Sequence, residues 1–346
     1  MDLLSLGLFR KISKFLTGFV YWIGDRNFMK IVISKRHLFK FYFTIIFVTI
    51  LYLGLASTLI YFYKKQIEIG YLSPKDKLMP LFSIAFYILA VYSLYSYIKN
   101  APKITFDKKF INFNNKTFLL SDIEKIELTG KGNFKCVLNI PMEAMTLKFN
   151  NGEIKYIFDD MYSNSWEIKS YIKQLVIDKE DFFESNEKTI DLSRLNNDNF
   201  ITYRGSVITS MRGISLWGII GFFTFLLLNN YKSISVWPSV SYLCFSLFWL
   251  LLHSYIMNYF EISDNFFVVR NHNFFWSKKA YRITDIKEIV FESPVEMPNC
   301  LRVITKDFKN KLYPAGTLRD KTWLSLKDKF ETYKIKVRNE CIFEKL

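Results

Sequence analysis

Three histidines, four cysteines and the adjacent aspartates Asp159 and Asp160 are the residues whose types could carry catalysis or hold a metal. His37 sits in a basic stretch with Arg36 and Lys40, which reads as interfacial, and His272 lies in a hairpin turn, where it is expected to be solvated. His253 differs, because it lies inside an apolar run. An ionisable residue there is uncommon and often functional. The other reading is a neutral imidazole that hydrogen-bonds between helices. His253 is therefore the candidate intramembrane polar site. Asp159 and Asp160 fall in a loop just before a helix, where aspartates commonly stabilise turns and helix starts rather than act in catalysis. Cys136, Cys244, Cys300 and Cys341 form no CxxC and read as reduced thiols. There is no HExxH, Walker-type loop, GxGxxG or serine elbow. The expectation is a non-enzymatic protein without cofactor or metal.

The elements around these residues are apolar runs alternating with strand-like stretches. Half of the 346 residues are hydrophobic and 18% are aromatic, yet the formal charge is +15. That mixture suits a chain that is part membrane and part soluble. Such a basic excess fits nucleic acid or anionic lipid. Here the cations crowd beside the apolar runs and on no recognition helix, which favours lipid and argues against nucleic acid. Four spans are expected, at about 41–63, 78–98, 213–231 and 238–258. Phe41 to Tyr63, for example, holds 23 uncharged residues, enough to cross a hydrocarbon core of about 30 Å. The spans contain no Asp, Glu, Lys or Arg, which argues against ion-coupled transport.

Residues 1–26 have a helical period, with Leu8, Ile12, Phe15 and Phe19 on one face and Arg10, Lys11 and Lys14 on the other. The readings are a helix lying in an anionic leaflet, a helix packed on the rest of the protein, or a signal peptide, whose apolar core would here be broken by charge. Arg10, Lys11, Lys14, Lys35, Arg36, Lys108 and Lys109 are the candidate anionic-lipid contacts.

After each pair of spans the period shifts to that of short strands, at 101–177 and 259–336, each closed by one helix. A polar linker at 178–199 separates the halves, and 337–346 reads as a tail. Asn151-Gly152 marks a tight hairpin. Asn164 with Glu167, and Thr317 with Asp320, read as capping boxes. The first helix is expected to turn Trp166, Tyr171, Ile172, Leu175 and Val176 inward, the second Trp323, Leu326, Phe330 and Tyr333. The halves look duplicated. Ser121-Asp122-Ile123-Glu124-Lys125-Ile126 returns as Thr284-Asp285-Ile286-Lys287-Glu288-Ile289, Tyr97 and Tyr255 both open a Tyr-Ile-x-Asn, and Trp166 and Trp323 stand 157 residues apart. The second hairpin carries only Lys232 between its spans and Arg204 and Arg212 before them, so the positive-inside rule places the N-terminus and both β-rich units in the cytoplasm.

Two apolar helices, then short strands with an (S/T)-D-I-x-x-I strand entry and one closing helix, resemble the bacterial pleckstrin-homology-like (PH-like) membrane proteins. The resemblance covers about 30–177 and 200–335. It implies a bacterial inner-membrane α+β protein with two transmembrane hairpins, each followed by a PH-like β-barrel or sandwich with a C-terminal helix. Eukaryotic PH domains often bind inositides through the first hairpin loop, which offers Lys108 and Lys109 in the first copy but Asp264-Asn265 in the second. The function expected is a membrane-tethered protein-interaction scaffold or sensor, meeting membrane lipid and a cytoplasmic or membrane protein, or a second copy of itself. The rivals are an immunity or stress-response protein that shields the bilayer from a toxin, and a small channel or transporter using His253.

Overall fold

The computed structural model describes residues 31–180, 198–229, 236–294 and 297–342. The amphipathic stretch 1–26, with Arg10, Lys11 and Lys14, and most of the 178–199 linker lie outside them. The fold is α+β, with long apolar helices and four small sheets.

The first strand of each β unit comes before its helical hairpin. β1 (Val32–Ile33) pairs antiparallel with β2 (Ile104–Phe106), and between them run α1 (Leu38–Ile69) and α2 (Met79–Asn100). In the second half β9 (Ile201–Tyr203) pairs with β10 (Asn258–Ile262) around α4 (Met211–Asn229) and α5 (Val236–Tyr255). This corrects the expected units at 101–177 and 259–336, which omit those strands. Two or three residues upstream of a spanning run carry too little periodicity to be read as strand. Each hairpin is thus an insertion between two hydrogen-bonded strands, tied to its β unit by both ends.

Leu38–Ile69, Asp76–Asn100 and Met211–Asn229 are long and apolar enough to cross a membrane, and Ser239–Tyr255 is a shorter apolar helix. α1 runs past Lys64 and Lys65, because lysine is a good helix former. It stops at Gly70, whose φ of 74° makes a left-handed cap. Small residues let α1 and α2 approach closely: Ala56, Ser83, Ala90 and Ser93 are buried, and Ser83 Oγ donates to the Ala56 carbonyl at 2.9 Å. Their larger neighbours, such as Phe47, Leu81 and Val91, face outward.

In the first unit, β2, β3 (Phe110–Phe113) and β4 (Lys116–Leu119) complete the β1 sheet. The second sheet holds β5 (Ile123–Glu127), β6 (Lys131–Lys135), the long β7 (Asn139–Phe149) and β8 (Ile154–Phe158), with β7 pairing all three others. The second unit repeats this plan. β10, β11 (Phe266–Asn271) and β12 (Lys278–Arg282) extend from β9, and β13 (Ile286–Glu292), β14 (Cys300–Thr305) and β15 (Asn310–Pro314) form the other sheet. The repeated (S/T)-D-I-x-x-I plays one part in both. A 3-10 turn (Leu120–Asp122, Ile283–Asp285) leads into a strand that bulges after Ile123 or Ile286. The Asp122 and Asp285 carbonyls each accept a backbone N–H, from Asn150 and Lys306, at 2.8 Å.

The tryptophan landmark does not carry one role. Trp323, on α6 (Asp320–Thr332), is fully buried between Phe260 and Phe291. On α3 (Ser165–Ile172) the inward residues are Ile168, Tyr171 and Ile172, while Trp166 is half-buried beneath the Lys309 ammonium at 5.0 Å. Neither capping box forms. Asn164 Oδ1 accepts from Lys35 N at 2.7 Å and its Nδ2 donates to Ile33 O at 2.9 Å, so this side chain pins β1 to α3. Arg319 rather than Thr317 precedes α6. β16 (Lys336–Asn339) runs from the end of the expected second unit into the expected tail at 337–346 and pairs parallel with β13. Gly205 lies where the chain leaves β9. A Cβ there would stand 1.8 Å from the Thr317 carbonyl oxygen, so only glycine fits.

Candidate functional site

The charges that matter most in the fold lie where the two β units meet. From the first unit come Lys131 on β6, Glu143 on β7, Asp159 and Asp160 after β8, and Lys169 on α3. From the second come Glu288 and Glu292 on β13, Arg302 on β14, Asn310 on β15 and Arg338 on β16. Arg302 is the hub. Its guanidinium donates to Glu292 Oε1 at 2.7 Å, to Asn310 Oδ1 at 2.9 Å and to Asp160 Oδ2 at 3.3 Å. Lys40, at the foot of α1, also reaches Asp160, and Lys131 reaches Glu292. Arg338 donates to Glu143 Oε2 at 2.8 Å, and Gly130 N donates to Glu143 Oε1 at 2.9 Å. Lys169 Nζ donates to Asp159 Oδ2 at 2.7 Å, as does Asn310 Nδ2 at 2.7 Å.

Desolvation would favour the neutral form of each carboxylate. For Asp160 burial pushes that way, but Arg302 and Lys40 outweigh it and hold the carboxyl below its ordinary range. Burial raises the Glu143 pKa, with Arg338 and Arg302 opposing. Arg302 is kept charged: burial disfavours its cation, and Asp160 and Glu143 more than offset that. A seam of opposite charges with each acid facing a cation can fix one domain orientation. It leaves no cluster suited to a metal, and among the described residues no group of three His, Cys, Asp or Glu could hold one. Asp159 and Asp160, expected as turn residues, are therefore interface residues. Their only signal in the sequence was their adjacency.

The second unit also carries an open groove of about 630 Å³ between β12 and the β14–β15 hairpin. Lys278, Lys279, Arg282, Lys306, Lys309 and Lys311 line it together with Asp285 and Asp307, and Lys309 pairs with Asp307 at 3.4 Å. Tyr281 and Tyr313 stand at its wall with hydroxyls 2.6 Å apart. Burial pushes the Tyr281 phenol up to about 12 and raises Tyr313 as well, so the pair is neutral.

His253 Nε2 lies 3.3 Å from Ser215 Oγ on α4, its Nδ1 lies 3.2 Å from the Trp249 carbonyl, and its ring packs on Trp249. Arg36 donates to Ala101 O at 3.0 Å and covers the Phe41 ring, joining the start of α1 to the end of α2. Lys35 is exposed beside it. Lys108 and Lys109 are exposed in the turn at the far end of β2 from α2. His37 caps α1, accepting from Phe39 N and Lys40 N through Nδ1.

His272 is not solvated as expected. Its ring packs on Tyr259 at 4.7 Å, with Thr317 Oγ1 3.5 Å from Nε2. Burial, then Arg204, lower its pKa to about 4. An unfolded histidine titrates near 6.5. The folded value is depressed, so the unfolded chain takes up the proton first, and stability falls as pH drops from about 6.5 towards 4. Unfolding midpoints measured across that range should fall less steeply for His272→Gln than for the native chain.

No protein-family model matches the sequence, and a search of curated proteins finds no match.

Proposed function

We propose that this is a non-enzymatic integral membrane protein of four spans in two hairpins, whose PH-like β units form one cytoplasmic platform for a protein partner. The bacterial inner membrane is the setting the resemblance suggests. The carrying observation is that both hairpins are inserted between the first two strands of their units while a buried ionic seam joins the units. A β unit tied by both helix ends to a hairpin, and by charge to its neighbour, cannot swing freely. That suits a fixed display surface better than a tethered domain on a linker. The seam uses the inner faces, which leaves Arg282, Lys306 and Lys311 of the groove beside β12 as the docking surface, and an acidic segment is the partner chemistry those cations fit.

The test is photo-crosslinking in cells, with a crosslinking residue at Lys306 or Lys311 of the full chain and at Lys108 as control. One acidic protein captured from the groove positions and not from the control supports the reading. Capture that is equal at all three positions, or turnover of a lipid or nucleotide by the purified protein, overturns it.

A further inference from the structure

The loop between β11 and β12 has no equivalent in the first unit. There β3 and β4 are joined by Asn114 and Asn115 alone. Here residues 272–277 intervene and carry Phe274, Phe275 and Trp276, followed by Lys278 and Lys279. Phe275 is 83% exposed and Trp276 70%, although their rings pack edge to face at 4.9 Å and Phe274 closes on Trp276 at 5.5 Å. A formed aromatic cluster facing outward needs an apolar or amphipathic neighbour.

The root of the loop shows which neighbour. It is fastened to the last turn of α5. Asn271, itself buried, donates to Ser254 O at 2.7 Å, Asn273 donates to Ser254 Oγ at 2.7 Å, and His272 N donates to Met257 O at 3.1 Å. Asn271 Oδ1 accepts from Asn273 N and Phe274 N, which sets the chain direction into the cluster. The aromatics are therefore held level with the end of an apolar helix, the depth at which Trp and Phe are favoured at a bilayer surface. The first unit does likewise on a smaller scale. The tip of its β6–β7 hairpin bears exposed Val137 and Leu138, and Asn100, the last residue of α2, donates to Lys135 O beside it.

We propose that the β11–β12 loop is a membrane-surface anchor. Phe275 and Trp276 enter the boundary between headgroups and acyl chains beside α5, and Lys278 and Lys279 lie against the phosphates of anionic lipids. This rests on the reading that α5 crosses the membrane.

Nitroxide labels in the full-length protein test it, in a background carrying Cys136→Ser, Cys244→Ala and Cys341→Ser with buried Cys300 retained. Labels are placed through Phe275→Cys, Trp276→Cys, Leu247→Cys within α5 and Lys108→Cys at the far end of the first unit. The protein is reconstituted in vesicles of phosphatidylcholine with or without phosphatidylglycerol. The expected result is a severalfold higher ratio of oxygen to water-soluble nickel accessibility at 275 and 276 than at 108, with 247 deeper still. Adding Lys278→Gln and Lys279→Gln should then move both loop labels towards water only where phosphatidylglycerol is present. Nickel access at 275 and 276 equal to that at 108, with 247 still deep, overturns the anchor and leaves the span intact. Nickel access at 247 overturns the span and the anchor together. Loop labels immobilised and closed to both reagents indicate a protein contact and also overturn it, and no dependence on phosphatidylglycerol overturns the role of the two lysines.

Discussion

Arg302→Ala is expected to destabilise the folded protein by about 3 kcal/mol, the lower end of what removing one partner from a buried ionic network costs. Arg302 is almost fully buried and its guanidinium serves three acceptors in two units, Glu292, Asn310 and Asp160. Alanine leaves Asp160 to Lys40 and Glu292 to Lys131, which is why the loss stays at the lower end. Asn310 loses its acceptor role but still donates to Asp159. Arg302→Lys should recover only part of the loss, since an ammonium cannot match the planar fork that reaches acceptors in several directions. The measurement is denaturant unfolding of the full chain in detergent, followed by tryptophan emission. A change within about 0.5 kcal/mol, the range of an ordinary surface substitution, would show that the seam does not hold the units together.

The helices and the duplicated strand entries were legible in the sequence, because both rest on local pattern. An uncharged run of span length has few other uses, and Asp122 and Asp285 sit in matching turns with the same carbonyl contact. Asn151-Gly152 makes the expected tight turn, with Gly152 at a φ of 80°. What the sequence hid was set by distant partners. Glu143, Lys169 and Arg302 are charges set among apolar residues of a strand or helix, and the groups that neutralise Glu143 and share Arg302 lie 195 and 142 residues away in the chain, respectively. Arg302 stands between Leu301 and Val303 in a strand buried on both faces, and a cation there is the one local hint that a partner is required. β1 and β9 were missed because the spanning runs separate them from the strands they pair with. Trp166 misled by its spacing: it matches Trp323 in position along the chain, and serves the interface rather than the core.

Lys169→Met is expected to cost about 3–5 kcal/mol, and the companion Lys169→Met/Asp159→Asn to return to within about 1 kcal/mol of the native chain. Lys169 and Asp159 are both nearly inaccessible, with side chains 1% and 2% exposed. Methionine fills the lysine stem and removes the charge, which strands the carboxylate with only the Asn310 amide as donor. Asparagine at 159 keeps an acceptor for that amide and removes the buried charge, so the second change repairs what the first breaks. Equal deficits in the single and double variants would mean that lost packing of the lysine stem rather than a stranded charge sets the stability at this corner of the seam.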